Sequence, residues 1–253
     1  MLHNRHTLVY LNDVARTALL PAVIAALPEP MRNCQIEARV RETVLRERIP
    51  GIVCRPTGPC PDGGGQIGFS FPFRVGEARV RAAVGVARDQ ITATLTPWEV
   101  MVLAETLGDV LHPAIGELHR IGVATGVEIG LIGSVALRAV TGLAYTRPDS
   151  DIDLVVRAAR PDQLAALAAA VHDLTLCTGT AFDIEVELAG GIGVKLSELL
   201  SGSDTVLGKT ITGVELVSRA RIDETLVFRA PAGGAGSELQ SPKKQAERRR
   251  LWM

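Results

Sequence analysis

The sequence predicts a two-domain α+β protein: a smaller N-terminal α+β domain over residues 1–95, then a second domain over residues 96–230 in which a small mixed sheet carries flanking helices. Three observations lead there. At 253 residues the chain exceeds what one small core requires. Hydrophobic residues make up 47% and charged residues 22%, a globular balance rather than a disordered or fibrous one. From Val127 onward, apolar runs with strand and helix periodicity alternate.

In the first domain the spacing predicts a helix over 13–27, with Asp13 as cap and Pro21 as a kink, followed by a charged segment from Glu37 to Arg48. Gly51 to Arg55 reads as a short strand, Pro56 to Gly65 as a Pro/Gly loop, and Gln66 to Arg74 and Glu77 to Val86 as two more strands. In the last of these Ala78, Val80 and Ala82 oppose Arg79 and Arg81, so one face is buried and the other shows a row of arginines. Such a row is a solvated face or a ligand surface.

Thr96 caps the next helix, with Pro97 at its first position, and the apolar spacing stays helical to about Arg120 with a break at Pro113. The domain boundary falls just before it. Then come a strand (Glu128 to Ile132), a helix (Ser134 to Thr141), a strand (Ile152 to Arg157), a helix (Pro161 to Leu174) and a strand (Ala181 to Leu188), an alternation that fits α/β or α+β. Gly190 to Gly193 reads as a hairpin turn rather than a dinucleotide loop. Residues 231–253, rich in Gly, Ala, Lys and Arg, are expected to form a disordered tail.

Charge is unevenly spread. Residues 1–95 hold twelve Arg against eight acids (+4), residues 96–230 ten bases against eighteen acids (−8), and the last 23 residues carry +3, which sums to −1. The acidic middle argues against nucleic-acid binding, while the basic first domain suits an acidic partner. The longest apolar stretch, Ala18 to Leu27, contains Pro21 and is half the length of a membrane span. It also lacks a signal-peptide cleavage site. Cys34, Cys54, Cys60 and Cys177 form no C-x-x-C pair and are read as reduced thiols, so the expectation is a cytoplasmic protein.

The chemistry concentrates in Ile132-Gly133-Ser134, sixteen further residues, and Asp151-Ile152-Asp153. Residues two apart on a strand share a side, so Asp151 and Asp153 present two carboxylates together. Adjacent like charges need neutralising, and a hard divalent cation such as Mg²⁺, which also leaves positions open for phosphate, does so. Gly133-Ser134 stands where a strand gives way to a helix, a turn whose free N–H groups favour an anion. Each motif alone is commonplace: Gly-Ser is usually a cap, Asp-x-Asp a solvated edge. In this order they describe phosphoryl or nucleotidyl transfer. Two-metal displacement calls for a third carboxylate on a neighbouring strand, and Asp183 or Glu185 supplies it, binding a second ion and helping to deprotonate the attacking hydroxyl. The expected metal ligands are Asp151, Asp153 and Asp183. His112, His119 and His172 lack ligand spacing and are read as ordinary core or surface histidines.

Gly133-Ser134 with Asp151-Ile152-Asp153 resembles the signature of the nucleotidyltransferase superfamily, whose mixed sheet carries two metal-binding aspartates and a third acid. More narrowly, the chain resembles the malonate decarboxylase holo-acyl-carrier-protein synthases, or phosphoribosyl-dephospho-CoA transferases. The likeness runs over about residues 3–220, through Arg5-His6, the arginine-bearing strands, Gly133-Ser134 with Thr141-Gly142-Leu143, Arg147-Pro148-Asp149-Ser150-Asp151, Asp183-Ile184-Glu185, Ser197-Glu198-Leu199 and Gly208-Lys209-Thr210. Leu137 and Leu196 stand where that family usually has aromatic residues, and Ser197 where an arginine is expected.

The resemblance implies transfer of the phosphoribosyl-dephospho-CoA group of 2′-(5″-triphosphoribosyl)-3′-dephospho-CoA to a serine of the apo acyl carrier protein subunit of malonate decarboxylase, with release of pyrophosphate. From their charge, Lys209, Arg138, Arg147 or Arg219 is either a neutraliser of the triphosphate or an ordinary solvated cation; with Gly133 and Ser134, Arg147 and Lys209 are the expected substrate-phosphate contacts, and Arg5-His6 is a further candidate. The rival readings are a nucleotidyltransferase that attaches a nucleotide to a small molecule or protein, and a non-catalytic binding module of the same fold.

Overall fold

A computed structural model describes residues 2–61, 63–158 and 160–227. The expected tail at 231–253 lies outside them.

The first domain is a five-stranded antiparallel sheet with two helices. Its elements are β1 (Leu8–Leu11), α1 (Asp13–Ala25), α2 (Cys34–Leu45), β2 (Gly51–Cys54), β3 (Gly65–Val75), β4 (Ala78–Val86) and β5 (Ile91–Leu95), in the spatial order β4-β3-β2-β1-β5. The strands expected over 51–55, 66–74 and 77–86 are present, whereas β1 and β5 are too short to show a period. The cap of α1 is Asn12, not Asp13: the Asn12 Oδ1 accepts from the Ala15 N–H at 2.8 Å, and Asp13 is the first helical residue. The α1–α2 layer is closed by Arg16, whose buried guanidinium donates to the carbonyls of Leu11, Val44 and Ile49. Burial, and then Arg48, lower its pKa to about 10.

The second domain opens with α3 (Pro97–Leu107) behind the expected Thr96 cap, which also forms a capping box with Glu99, and α4 (Ile115–Thr125). The helical stretch breaks earlier than Pro113, at Gly108, whose φ of +52° ends α3 and starts a 3₁₀ turn. Then follow β6 (Glu128–Ile132), α5 (Gly133–Thr141), β7 (Ile152–Arg157), α6 (Pro161–Thr178), β8 (Phe182–Leu188), β9 (Ile192–Lys195), α7 (Leu196–Leu200), β10 (Thr205–Lys209), β11 (Val214–Ser218) and α8 (Arg219–Val227). The sheet order is β11-β10-β9-β8-β7-β6, and among its pairs only β7 and β8 run parallel, linked by α6. It is the small mixed sheet that the alternation predicts. The glycines at 190 and 191 form the β8–β9 turn, as expected.

Each sheet has its own core, and β1 stands between them. By strand alternation Val9 and Leu11 pack into the first core with Phe69 and Phe71, while Leu8 packs into the second with Leu131, Ile152 and Leu154. Tyr145, in the loop before β7, is buried, and its hydroxyl donates to the Ser70 carbonyl of β3 at 2.9 Å. The two domains therefore share a wall, and a cavity opens along it.

Candidate active site

Strand register puts the acids side by side. In the parallel β7–β8 pair Asp153 is opposite Asp183, and Val155 is opposite Glu185, so the three carboxyl-bearing residues share one face of the sheet. Asp151 lies just before β7. β6, antiparallel to β7, brings Ile132 opposite Asp153 and delivers the chain into α5 at Gly133. Gly133 has φ +70°, and a Cβ there would stand 1.9 Å from the Asp153 Oδ2. Only glycine permits both that backbone and that approach.

Crowding shows in the electrostatics. The Asp153 carboxyl is pushed up to about 6, first by burial, then by the charges of Asp151 and Asp183, with Lys195 and His6 pulling the other way. Asp183 is ion-paired with Lys195 of β9. Glu185 is committed elsewhere. Arg5 grips it through two bonds, Nη1 to Oε1 at 2.8 Å and Nη2 to Oε2 at 3.1 Å, and the His6 Nε2–H donates to Oε1 at 3.1 Å. Burial would raise the Glu185 carboxyl, but the hydrogen bonds and charges of His6 and Arg5 outweigh it and hold it down at about 2. A Cβ at position 193 would lie 2.0 Å from the Glu185 Oε1 and 2.4 Å from the Arg5 Nη1, so Gly193 makes the room for this ion pair.

The cavity between the domains measures about 720 Å³, in the range of small-molecule sites. Gly133, Ser134, Ser150, Asp151, Asp153 and His6 line it together with Arg74, Arg79 and Arg81 of the first domain. Four of the expected residues, Gly133, Ser134, Asp151 and Asp153, thus meet at one hollow. Asp183 adjoins it through Asp153. Two expected phosphate contacts do not line it: Arg147 pairs with Glu77 at 2.9 Å, and the Lys209 Nζ stands 3.8 Å from the Glu185 Oε2 while its carbonyl accepts from Arg5.

Among the described residues no group of three or more His, Cys, Asp or Glu side chains is arranged to hold a metal ion as it stands. Asp183 is paired with Lys195, and Glu185 with Arg5. Asp151 and Asp153 nonetheless suit a hard cation, being adjacent carboxylates of which one, Asp153, is raised by burial and then by the charges of Asp151 and Asp183. The residue that sequence reasoning missed altogether is Lys195, which sits on a strand too short to read. A Lys one short turn beyond an acidic strand was the available signal.

The model of the phosphoribosyl-dephospho-CoA transferase MdcG N-terminal domain matches residues 4–97, and that of the C-terminal domain matches residues 99–220. The two meet at the capping box that starts α3. A phosphoribosyl-dephospho-CoA transferase of Xanthomonas axonopodis pv. citri is 29% identical over 177 residues, covering 69% of this chain and 81% of that protein. One from Xanthomonas campestris pv. campestris is 25% identical over 222 residues, 86% of this chain and 95% of that protein. Another, from Bradyrhizobium diazoefficiens, is 24% identical over 153 residues, 60% of this chain and 67% of its own length. No solved structure matches. With both domain models covering nearly all of the described residues in order, the chain belongs to the phosphoribosyl-dephospho-CoA transferase family.

Proposed function

We propose that this chain transfers the phosphoribosyl-dephospho-CoA group of 2′-(5″-triphosphoribosyl)-3′-dephospho-CoA to a serine hydroxyl of the apo acyl carrier protein subunit of malonate decarboxylase, releasing pyrophosphate. The observation that carries the reading is the meeting of Gly133, Ser134, Asp151 and Asp153 in the lining of one interdomain cavity. In the reaction the serine oxygen bonds to the α-phosphorus, the bond from that phosphorus to the pyrophosphate oxygen breaks, and the hydroxyl proton passes to a carboxylate.

Each residue has a task in this reading. The N–H groups of the first turn of α5 lack helical acceptors and hold the triphosphate beside Gly133, with the Ser134 hydroxyl as an added donor. Asp151 and Asp153 would hold Mg²⁺, which when bound supplies charge neutralisation at the transferring phosphoryl group. Asp183 is the third carboxylate rather than Glu185, because Glu185 is saturated by Arg5 and His6 while Asp183 adjoins Asp153. Lys195 keeps Asp183 in place until the substrate arrives. Glu185, Arg5 and His6 form a clamp that ties the amino-terminal segment to β8, and Lys209 supports it. His6 adopts a strained φ of +65° to reach its place at the cavity edge.

Among the described residues no helix is long and apolar enough to cross a membrane. We assign the reaction to the cytoplasm, where the four thiols, free among the described residues, are kept reduced, and to a protein partner rather than nucleic acid, given the −8 balance of residues 96–230. The test is to incubate the chain and Mg²⁺ with the apo carrier subunit and either triphosphoribosyl-dephospho-CoA or ATP, following the carrier by mass spectrometry. A phosphoribosyl-dephospho-CoA-sized gain with the first donor alone is expected. A nucleotide-sized gain with ATP and none with the first donor would overturn the assignment.

A further inference from the structure

The cavity has a second charged region that the phosphoryl-transfer centre does not use. Strand β4 turns Val80 and Ala82 into the first core and Arg79 and Arg81 toward the cavity. In the β3–β4 ladder Arg79 is opposite Arg74, and Arg81 is opposite Ser70, so three guanidiniums gather on one patch of sheet. Among the described residues none of the three forms a salt bridge with a carboxylate. Arg74 donates to the Glu77 carbonyl at 2.6 Å, while the Glu77 carboxylate is taken by Arg147. The Arg79 guanidinium lies 5.5 Å from the Tyr145 ring centroid and donates to the carbonyls of Phe71 and Tyr145. Burial and the neighbouring Arg74 charge lower its pKa. Arg74 and Arg79 are half-buried and Arg81 is exposed, and with no carboxylate beside them the like charges repel one another, a cost that a bound anion removes.

We infer that Arg74, Arg79 and Arg81 form a binding site for the 5′-diphosphate of the dephospho-CoA half of the substrate, separate from the triphosphate site at Gly133. This deepens the proposed function and rests on it: a substrate with phosphate groups at two places requires two anion sites, and one cavity supplies an α5 amino terminus and an arginine cluster. Guanidinium forks match phosphate oxygens in pairs, and Arg79 is already fixed in orientation by its two carbonyls and the Tyr145 ring. The small residues Gly68, Ser70 and Ala83 on the same strands leave the backbone open to close approach.

The test uses the whole chain in EDTA, with dephospho-CoA as the probe in isothermal titration calorimetry. Arg74→Gln and Arg81→Gln remove charge from side chains that the fold barely uses, and thermal unfolding checks that both variants remain folded. Losing one charge-assisted contact should weaken binding about 10- to 100-fold. In transfer kinetics the same variants should raise KM for the donor by a similar factor with kcat nearly unchanged. Dephospho-CoA binding that is unchanged in both variants would overturn the inference, as would weakened binding of the apo carrier with dephospho-CoA affinity intact. Because the calorimetry needs no turnover, failure of the transfer reaction with arginine-dependent binding retained would remove the proposed function and leave the site. Normal transfer with unaltered KM would remove the site alone.

Discussion

Replacing Glu185 with Gln tests the clamp that joins the amino-terminal segment to the catalytic sheet. The Glu185 carboxyl sits at about 2 in the folded protein against an ordinary 4.5, because Arg5 and His6 hold it ionised although it is buried. That difference is worth about 3 to 4 kcal/mol at roughly 1.4 kcal/mol per tenfold change in proton affinity. The sign follows from the depressed value: the stabilisation is complete above pH 4.5 and is lost as the pH falls toward 2. Glu185→Gln keeps the shape and removes the charge, so at pH 7 it should destabilise the protein by about 3 kcal/mol, or roughly 6–12 °C in Tm for a chain of this size. The deficit should begin to shrink only below pH 4.5. Urea unfolding of both proteins at pH 7 measures it. A variant within about 0.5 kcal/mol of the parent, a span typical of unremarkable surface substitutions, would refute the reasoning.

Other changes probe the remaining parts. Asp153→Asn in EDTA should stabilise the fold. The raised Asp153 carboxyl, about 6 against 3.8, contributes stability below pH 3.8 that is lost as pH rises through 6, so the variant gains up to about 3 kcal/mol at pH 7.5 and little at pH 4, measured by denaturant unfolding. Equal stability at pH 7.5 would contradict the crowding. Gly133→Ala places a methyl group 1.9 Å from the Asp153 Oδ2 at a φ of +70°. It should cost at least about 1–2 kcal/mol for the backbone alone and abolish transfer, checked by unfolding and by carrier mass. Tyr145→Phe leaves the Ser70 carbonyl without its interdomain donor and should cost about 1–2 kcal/mol in the same unfolding assay.

The parts of the site that were legible in the sequence are local. Gly133-Ser134 and Asp151-x-Asp153 each sit within a few residues, and strand and helix periods fix their relative faces, so their convergence follows from topology. The choice between Asp183 and Glu185 was not legible, because both point to the same face of β8. What separates them is Arg5 and His6, some 180 residues away in sequence. Charge alone suggests Arg147 and Lys209 as phosphate contacts, but each sits against an acid, Glu77 and Glu185, that no local pattern ties to it. Alternation in β4 revealed the arginine row, while the surface it faces depends on how two separate sheets meet. Strand β1 escaped notice because four residues facing two different cores carry no single polar–apolar rhythm.

The most direct measurement is the mass of the apo carrier subunit after incubation with triphosphoribosyl-dephospho-CoA, Mg²⁺ and the Asp151→Asn or Asp153→Asn protein, each shown by circular dichroism to be folded. Both variants are expected to leave the carrier unmodified under conditions where the parent chain modifies it fully. Full modification by either would mean that the paired carboxylates beside Gly133 do not carry the reaction.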